Sequence, residues 1–135
     1  MTKKVVKNLT VLGNKVKPKY SNPTSSMIEC FPNPSLNEYS IEFTTDEFSS
    51  LCPVTGAPDY GRIEIIYTPT NLCIESKSLK LYLGAYRLYQ GFMEKMTNKI
   101  LSDLSGVCYP KDMQVSGIWK SRGGIVTKVC AYYSD

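Results

Sequence analysis

The hydrophobic pattern of this chain changes period twice, and the order of those changes constrains the fold more than any other feature. Six segments are predicted to be strands, the clearest of which alternate apolar and polar side chains. They are residues 27–31, 39–45, 62–67, 72–75, 113–119 and 124–132. Residues 76–87 and 92–105, between the fourth and fifth strands, repeat apolar side chains at helical spacing. This order predicts an α+β fold with a mostly antiparallel sheet and both helices on one face.

The pattern also predicts how these elements pair and end. A Pro-Thr-Asn turn predicts that residues 62–67 and 72–75 form a hairpin. Ser76 or Ser78 is expected to cap the first helix, and Gly106 fits the C-terminal cap of the second. The apolar stripes expected to face the core are Leu79, Leu83 and Tyr86 in the first helix, then Phe92, Met96, Ile100 and Leu104 in the second.

Residues 1–26 are polar and basic, and we expect an extended arm with a short strand near residues 9–12. A single domain is expected at residues 27–135. The lysines of the arm favour a solvated surface, and a tRNA-binding arm is the weaker hypothesis. They are Lys3, Lys4, Lys7, Lys15, Lys17 and Lys19. Because two helices leave the edges of one sheet uncovered, we expect chains to associate through those edges.

The composition limits the cellular location and the classes of active site that we expect. The net charge is +4, which fits a mildly basic enzyme surface, and no apolar run is long enough to cross a membrane. The five cysteines are odd in number and lack CxxC spacing, which argues against a disulfide framework and a zinc site. A reducing cytoplasm is the expected location. The absence of histidine excludes a Ser-His-Asp triad, a Cys-His dyad and any His-ligated metal.

One loop, residues 51–59, holds a cysteine that could be reactive. Cys52 lies among prolines and a glycine, and Asp59 follows it by seven residues. Such a loop lies at the surface or lines a cleft, whereas a structural cysteine usually lies within a strand or helix. With no histidine, the proton partners of a nucleophilic Cys52 would be Asp, Glu, Lys or Tyr. From the residues alone, a turn-forming role for Asp59 stays open.

The first predicted helix carries a basic stripe. Lys77, Lys80 and Arg87 fall within roughly 80° of one another around it, and Gly84 leaves that face open. By itself, the stripe is also compatible with a solvated helix face. There is no GxGxxG motif, so a dinucleotide would not bind in the Rossmann manner.

Four motifs give a specific resemblance. The run Glu-Ser-Lys-Ser-Leu-Lys-Leu-Tyr at residues 75–82 resembles the signature of the 7-cyano-7-deazaguanine reductases, the nitrile reductases of queuosine biosynthesis. Residues 47–59 precede it at matching spacing, and Phe92-Met93-Glu94 and the Arg-Gly-Gly-Ile run at residues 122–125 follow. The resemblance covers about residues 36–127 and fits the short, single-module type of the family.

The resemblance implies a fold, an assembly and a reaction. It implies the tunnelling fold shared with GTP cyclohydrolase I, whose subunits join edge to edge into rings, here pentameric and paired, with active sites between neighbours. It implies that two NADPH reduce the nitrile to the primary amine 7-aminomethyl-7-deazaguanine. The expected partners are thus a small 7-deazapurine and further copies of the chain, with no membrane and no direct nucleic acid.

The resemblance also assigns roles to residues. Cys52 matches the nucleophile that forms a covalent thioimide, and Asp59 matches its acid/base partner. Glu75 and Glu94 match the carboxylates that hold the deazapurine, and Ser76 is placed with them. For NADPH, the signature contributes Lys77 and Lys80, and Arg122 matches a further family position. Arg87 joins the cofactor set on helical spacing alone. No metal is expected.

One departure from the family pattern keeps two alternatives open. Met93 stands where the family commonly has a histidine, which is credited with protonating nitrogen during reduction. Asp59 or water could carry those protons, or the chain could form the thioimide and make an amidine from it. A catalytically silent deazapurine-binding protein is the third hypothesis.

Overall fold

The computed structural model describes residues 9–135, so Lys3, Lys4 and Lys7 lie outside the described residues. Within them, the strands are β1 (Cys30–Pro32), β2 (Ile41–Leu51), β3 (Pro58–Thr68), β4 (Leu72–Ile74), β5 (Asp112–Arg122) and β6 (Ile125–Ser134). The helices are α1 (Ser76–Gly84) and α2 (Met93–Cys108). Neither helix is long and apolar enough to cross a membrane.

The main sheet is an antiparallel four-stranded sheet in the order β2-β3-β5-β6. Helix α2 packs on β5 and β6, and α1 packs beside β2. Inward-facing residues of the sheet and both helices belong to one hydrophobic core. The predicted α+β architecture, with an antiparallel sheet and both helices on one face, is therefore confirmed. Strands β2 and β6 are the outer strands of this sheet.

The alternation of side chains along each strand determines which residues of the sheet face the core. Ile63, Ile65 and Tyr67 of β3 all point to the helix-covered face and are fully buried. Trp119 of β5 is also buried, and its indole ring lies against Gly117. A Cβ atom at position 117 would collide with that ring, so close approach of the ring requires glycine there.

The predicted hairpin between residues 62–67 and 72–75 is wrong. Strand β4 pairs instead with β1, in a separate two-stranded sheet with Cys30 opposite Ile74. The reason is that β2 and β5 occupy the two hydrogen-bonding edges of β3. The backbone N–H of Ile74 donates to the Tyr67 hydroxyl at 2.9 Å, which ties β4 to β3 through a side chain.

The two helices differ from the prediction at their termini. Glu75 rather than a serine caps α1, because its carboxylate accepts from the first backbone N–H groups of the helix. Helix α1 stops at Gly84, and turns with hydrogen bonds to the third preceding residue carry the chain to Arg87.

Helix α2 continues past Gly106 to Cys108, where burial of the Cys108 side chain favours another turn. Tyr109 then adopts a left-handed conformation with φ of 49°, and Pro110 prevents continuation. The predicted C-terminal cap at Gly106 is therefore wrong.

The arm is folded onto the domain over residues 9–20, and the strand predicted near residues 9–12 is absent. The backbone N–H groups of Thr10 and Val11 donate to the Glu29 carboxylate at 2.9 and 2.8 Å instead of to a neighbouring strand. The strand predicted at residues 27–31 is also shorter, because a 3-10 turn occupies Ser25–Met27.

Candidate active site

The cysteine loop is closed by its own backbone. The N–H of Cys52 donates to the carbonyl of Ala57 at 2.8 Å, and the N–H of Gly56 donates back to the carbonyl of Cys52 at 2.9 Å. Gly56 has a φ of 73°, a left-handed conformation that favours glycine. The loop holds Cys52 at 9% exposure, so the thiol is more covered than a surface loop would suggest.

The loop stabilises the thiolate form of Cys52. Hydrogen bonds from the Thr55 hydroxyl, from the N–H groups of Thr55 and Val54, and from Arg122 lower the pKa of Cys52 from 9.0 to about 6. Burial acts in the opposite direction but is outweighed. Elsewhere burial dominates and raises the pKa of Cys30 to about 11 and that of Cys108 to about 12. Cys52 therefore has the properties of a nucleophile, whereas Cys30 and Cys108 have those of packing residues.

Asp59 lies on the neighbouring strand and is linked to this thiol through Arg122. It is the second residue of β3, pairs in register with Ser50 of β2, and is 6% exposed. Its carboxylate forms an ion pair with the guanidinium of Arg122, the last residue of β5. The loop after β2, the start of β3 and the end of β5 thus place Cys52 and Asp59 around one guanidinium, that of Arg122, which is distant from both in sequence.

The segment before α2 is fixed against the strand that leads into Cys52. The N–H of Leu51 donates to the carbonyl of Tyr89 at 2.9 Å, and the N–H of Gly91 donates to the carbonyl of Leu51 at 3.4 Å. Helix α2 therefore begins close to the cysteine loop.

The side chains at the start of α2 are the expected Phe-Met-Glu run. Glu94, in the first turn, is exposed. Phe92 was predicted to lie in the core stripe, but it precedes the helix and is 62% exposed. Met93 is half-buried against the core.

Glu75 lies away from Cys52 within one chain. Its two carboxylate oxygens accept from the backbone N–H groups of Lys77 and Ser78 at 2.6 and 2.7 Å, and it is 3% exposed. Helix α1 separates Glu75 from the Tyr89 segment that contacts Leu51, and nine helical residues span roughly 13 Å. Glu75 and Cys52 are therefore not brought together by the fold of a single chain.

A cleft of about 460 Å³ lies between α1, β2 and the arm. Lys80 and Arg87 of the basic stripe line it, as do Gly84 and Ser76. Lys77 does not line it, because its ammonium donates to the carbonyl of Asn14 in the arm at 2.6 Å. Arg122 lies with Asp59 and Cys52 rather than with these cations.

Two contributors to these sites were missed by the sequence analysis. Thr55 stabilises the thiolate, and the signal for it was a threonine in a Pro/Gly-rich loop, where hydroxyls commonly bond nearby backbone. The arm residues Lys19 and Tyr20 line the cleft, and nothing local to the arm signals that.

Comparisons with known proteins identify the family of this chain. The family described as QueF-like protein matches residues 58–135. An NADPH-dependent 7-cyano-7-deazaguanine reductase of Streptococcus thermophilus is 44% identical over 130 residues, covering 96% of this chain and 78% of the relative. One of the same name from Chloroherpeton thalassium is 47% identical over 108 residues, covering 79% and 93%.

A solved structure has the same fold. The apo archaeosine synthase QueF-Like is 17% identical with a TM-score of 0.65, over 75% of this chain and 97% of that one. At 17% identity, this likeness shows only that the two chains share a fold, the tunnelling fold. From the family match and the two reductases, the chain belongs to the QueF family.

Proposed function

We propose that this chain reduces the nitrile of 7-cyano-7-deazaguanine to 7-aminomethyl-7-deazaguanine with NADPH. The observation that carries the proposal is the loop that lowers the pKa of Cys52, with Arg122 contacting both that thiol and the buried Asp59 carboxylate. A nitrile carbon accepts hydride poorly until a nucleophile adds to it, and a stabilised thiolate is such a nucleophile. The activity named for the two reductases is the one this pair of groups suits.

In this reaction, Cys52 supplies the sulfur nucleophile and Asp59 transfers protons. The sulfur of Cys52 bonds to the nitrile carbon, one C–N π bond breaks, and the nitrogen takes a proton, which gives a thioimide. NADPH supplies two hydrides, one from each of two molecules. The carbon–sulfur bond breaks after the first reduction and returns Cys52 as thiolate. Asp59 is positioned to pass protons to the nitrogen, which Met93 is unable to do.

The substrate is proposed to bind at the start of α2. The exposed Glu94 carboxylate can accept the adjacent N–H and amino donors of a guanine-like edge. Phe92, exposed beside it, offers a ring face for the deazapurine. Both lie on the segment that is hydrogen-bonded to the strand leading into Cys52.

NADPH is proposed to bind in the cleft beside α1. Lys80 and Arg87 line that cleft, and their charges fit the phosphates of a dinucleotide. Apolar side chains of β2 and β3, among them Phe43 and Ile65, form its floor and fit the uncharged parts of the ligand. The cationic and apolar side chains of this cleft therefore suit NADPH.

The complete site is proposed to form between chains. Glu75 and Ser76 lie at the start of α1, whereas Cys52 and Asp59 lie beyond its other end. Pairing of the outer strands β2 and β6 between neighbours would join the two sets, and repetition of that contact gives a ring. Pentameric, paired rings are the assembly that we propose.

A cytoplasmic location is proposed because all five cysteines are unpaired, as expected in a reducing compartment.

The function is tested by the stoichiometry of turnover. We expect wild-type protein to oxidise two NADPH for each 7-cyano-7-deazaguanine converted, with the aminomethyl product identified by mass. Cys52→Ala should abolish turnover, whereas Cys130→Ala, a half-buried cysteine outside the site, should retain it. Amidine formation with ammonia and no NADPH oxidation would instead establish the amidine-forming alternative that Met93 leaves open. Nitrile binding with neither reaction would reduce the chain to a binding protein.

A further inference from the structure

Residues 9–20 of the N-terminal arm lie along α1 and are held at three points. Near the start of the helix, the Glu29 carboxylate accepts from arm backbone N–H groups. Next, the Lys77 ammonium donates to the carbonyl of Asn14 at 2.6 Å. Beyond the end of the helix, the N–H of Leu88 donates to the carbonyl of Tyr20 at 2.7 Å. These hydrogen bonds fix residues 9–20 of the arm on the surface beside α1.

The last of these attachments places the arm against the cleft. Pro18, Lys19 and Tyr20 of the arm line the cleft together with Lys80 and Arg87. The guanidinium of Arg87 lies over the Tyr20 ring, 5.1 Å from its centroid, a cation–π contact that orients the arginine. Tyr20 remains 43% exposed, so part of the ring is open to a ligand.

The charges of the cleft come from separate segments. Lys19 of the arm, Lys80 of α1 and Arg87 after α1 are its cations, and Glu47 of β2 is its carboxylate. Cations that converge from different segments repel one another until an anion joins them, and they raise the local concentration of anionic ligands. The cleft is therefore suited to a phosphate-bearing ligand that contacts the arm and the helix together.

We propose that the arm is part of the cofactor site. In this proposal Lys19 binds a phosphate of NADPH, Tyr20 holds Arg87 in place for another, and Lys77 acts by tethering the arm. The proposal rests on the function proposed above and changes the role of Lys77 from a cofactor contact to a structural tie.

The first test measures binding of NADPH alone to the purified assembled protein, by calorimetry without the nitrile. Lys19→Ala is expected to weaken binding about tenfold, the value of one charge-assisted contact in a partly exposed site. Lys17→Ala is the matched control, since it removes the same charge from the same arm but does not line the cleft. Tyr20→Phe should bind like wild type, and Tyr20→Ala should bind more weakly.

The second test separates tethering from contact at Lys77. If Lys77 tethers the arm, Lys77→Gln should weaken NADPH binding and also raise deuterium uptake across residues 9–20 before any ligand is added. A loss of affinity with unchanged uptake would overturn the tethering role.

The outcomes also distinguish this inference from the proposed function. Wild-type affinity in Lys19→Ala beside weakened binding in Lys80→Ala would overturn the role of the arm and leave the cleft as the cofactor site. Wild-type affinity in both variants would overturn the arm and the cleft together. Adduct formation at Cys52 with the nitrile, measured without NADPH, reports on the proposed function independently of either result.

Discussion

Removal of the Thr55 hydroxyl should raise the pKa of Cys52 and reduce the fraction of thiolate at neutral pH. The hydrogen bond from that hydroxyl is the largest of the effects that lower the pKa to about 6, and the backbone N–H groups and Arg122 add less. With a pKa of about 6, about nine-tenths of the thiol is ionised at pH 7, against about one-hundredth at 9.0. Thr55→Val keeps the backbone donors, so its pKa should lie between these limits.

A pKa of about 7 to 8 in Thr55→Val corresponds to a thiolate fraction of roughly one-half to one-tenth at pH 7, so the inflection of its pH–rate profile should move up by about one to two pH units. The assay is the rate of Cys52 alkylation by iodoacetamide between pH 5 and 9, followed by intact mass. Because the pKa is lowered, the wild-type rate should rise through about pH 6 and be constant above it. Thr55→Ser, which keeps the hydroxyl, should match wild type.

Two results would refute this reasoning. An unchanged inflection in Thr55→Val would mean that the hydroxyl does not stabilise the thiolate. A wild-type inflection near 9 would mean that the loop does not stabilise it at all.

The remaining predictions concern stability and can be read from urea unfolding. Gly117→Ala should destabilise the protein by about 3 kcal/mol or more, because a Cβ would collide with the Trp119 ring. Gly106→Ala, in helix α2 with open space around it, should instead stabilise by about 0.5–1 kcal/mol. Arg122→Gln should cost about 1–3 kcal/mol, because it leaves the buried Asp59 carboxylate unpaired, and the half-exposed guanidinium limits the loss. Equal stability of the Gly117 and Gly106 variants, or no loss in Arg122→Gln, would contradict these assignments.

The main sheet could be predicted because alternation is a local property. Ile63, Ile65 and Tyr67 share a face in any strand, so the sequence alone indicates what β3 buries. The partner of β4 could not be predicted in this way. It depends on which edges of β3 other strands occupy, and those strands are distant in sequence.

The candidate site was predictable in part for the same reason. Cys52 and Asp59 lie on either side of one tight loop, so their spacing in sequence already placed them near each other. Arg122 joins them only because β5 pairs with β3. The capping role of Glu75 was missed because propensity favours serine at that position, whereas the chain turns into α1 one residue earlier.

The position of the arm could not be predicted because its composition is that of a solvated segment. Lys15, Lys17 and Lys19 are all exposed, as predicted from their charge. The contacts that fix the arm are made largely by its backbone carbonyls and N–H groups, which every sequence possesses. Side-chain patterns therefore carried no signal for where the arm lies.

The central claim is that Cys52 attacks the nitrile, and intact mass tests it most directly. Wild-type protein incubated with 7-cyano-7-deazaguanine in the absence of NADPH should gain the mass of one substrate molecule per chain. Addition of NADPH should then remove that mass and release the amine, and Cys52→Ala should gain nothing. An unmodified wild-type mass, or an adduct that persists in Cys52→Ala, would contradict the account.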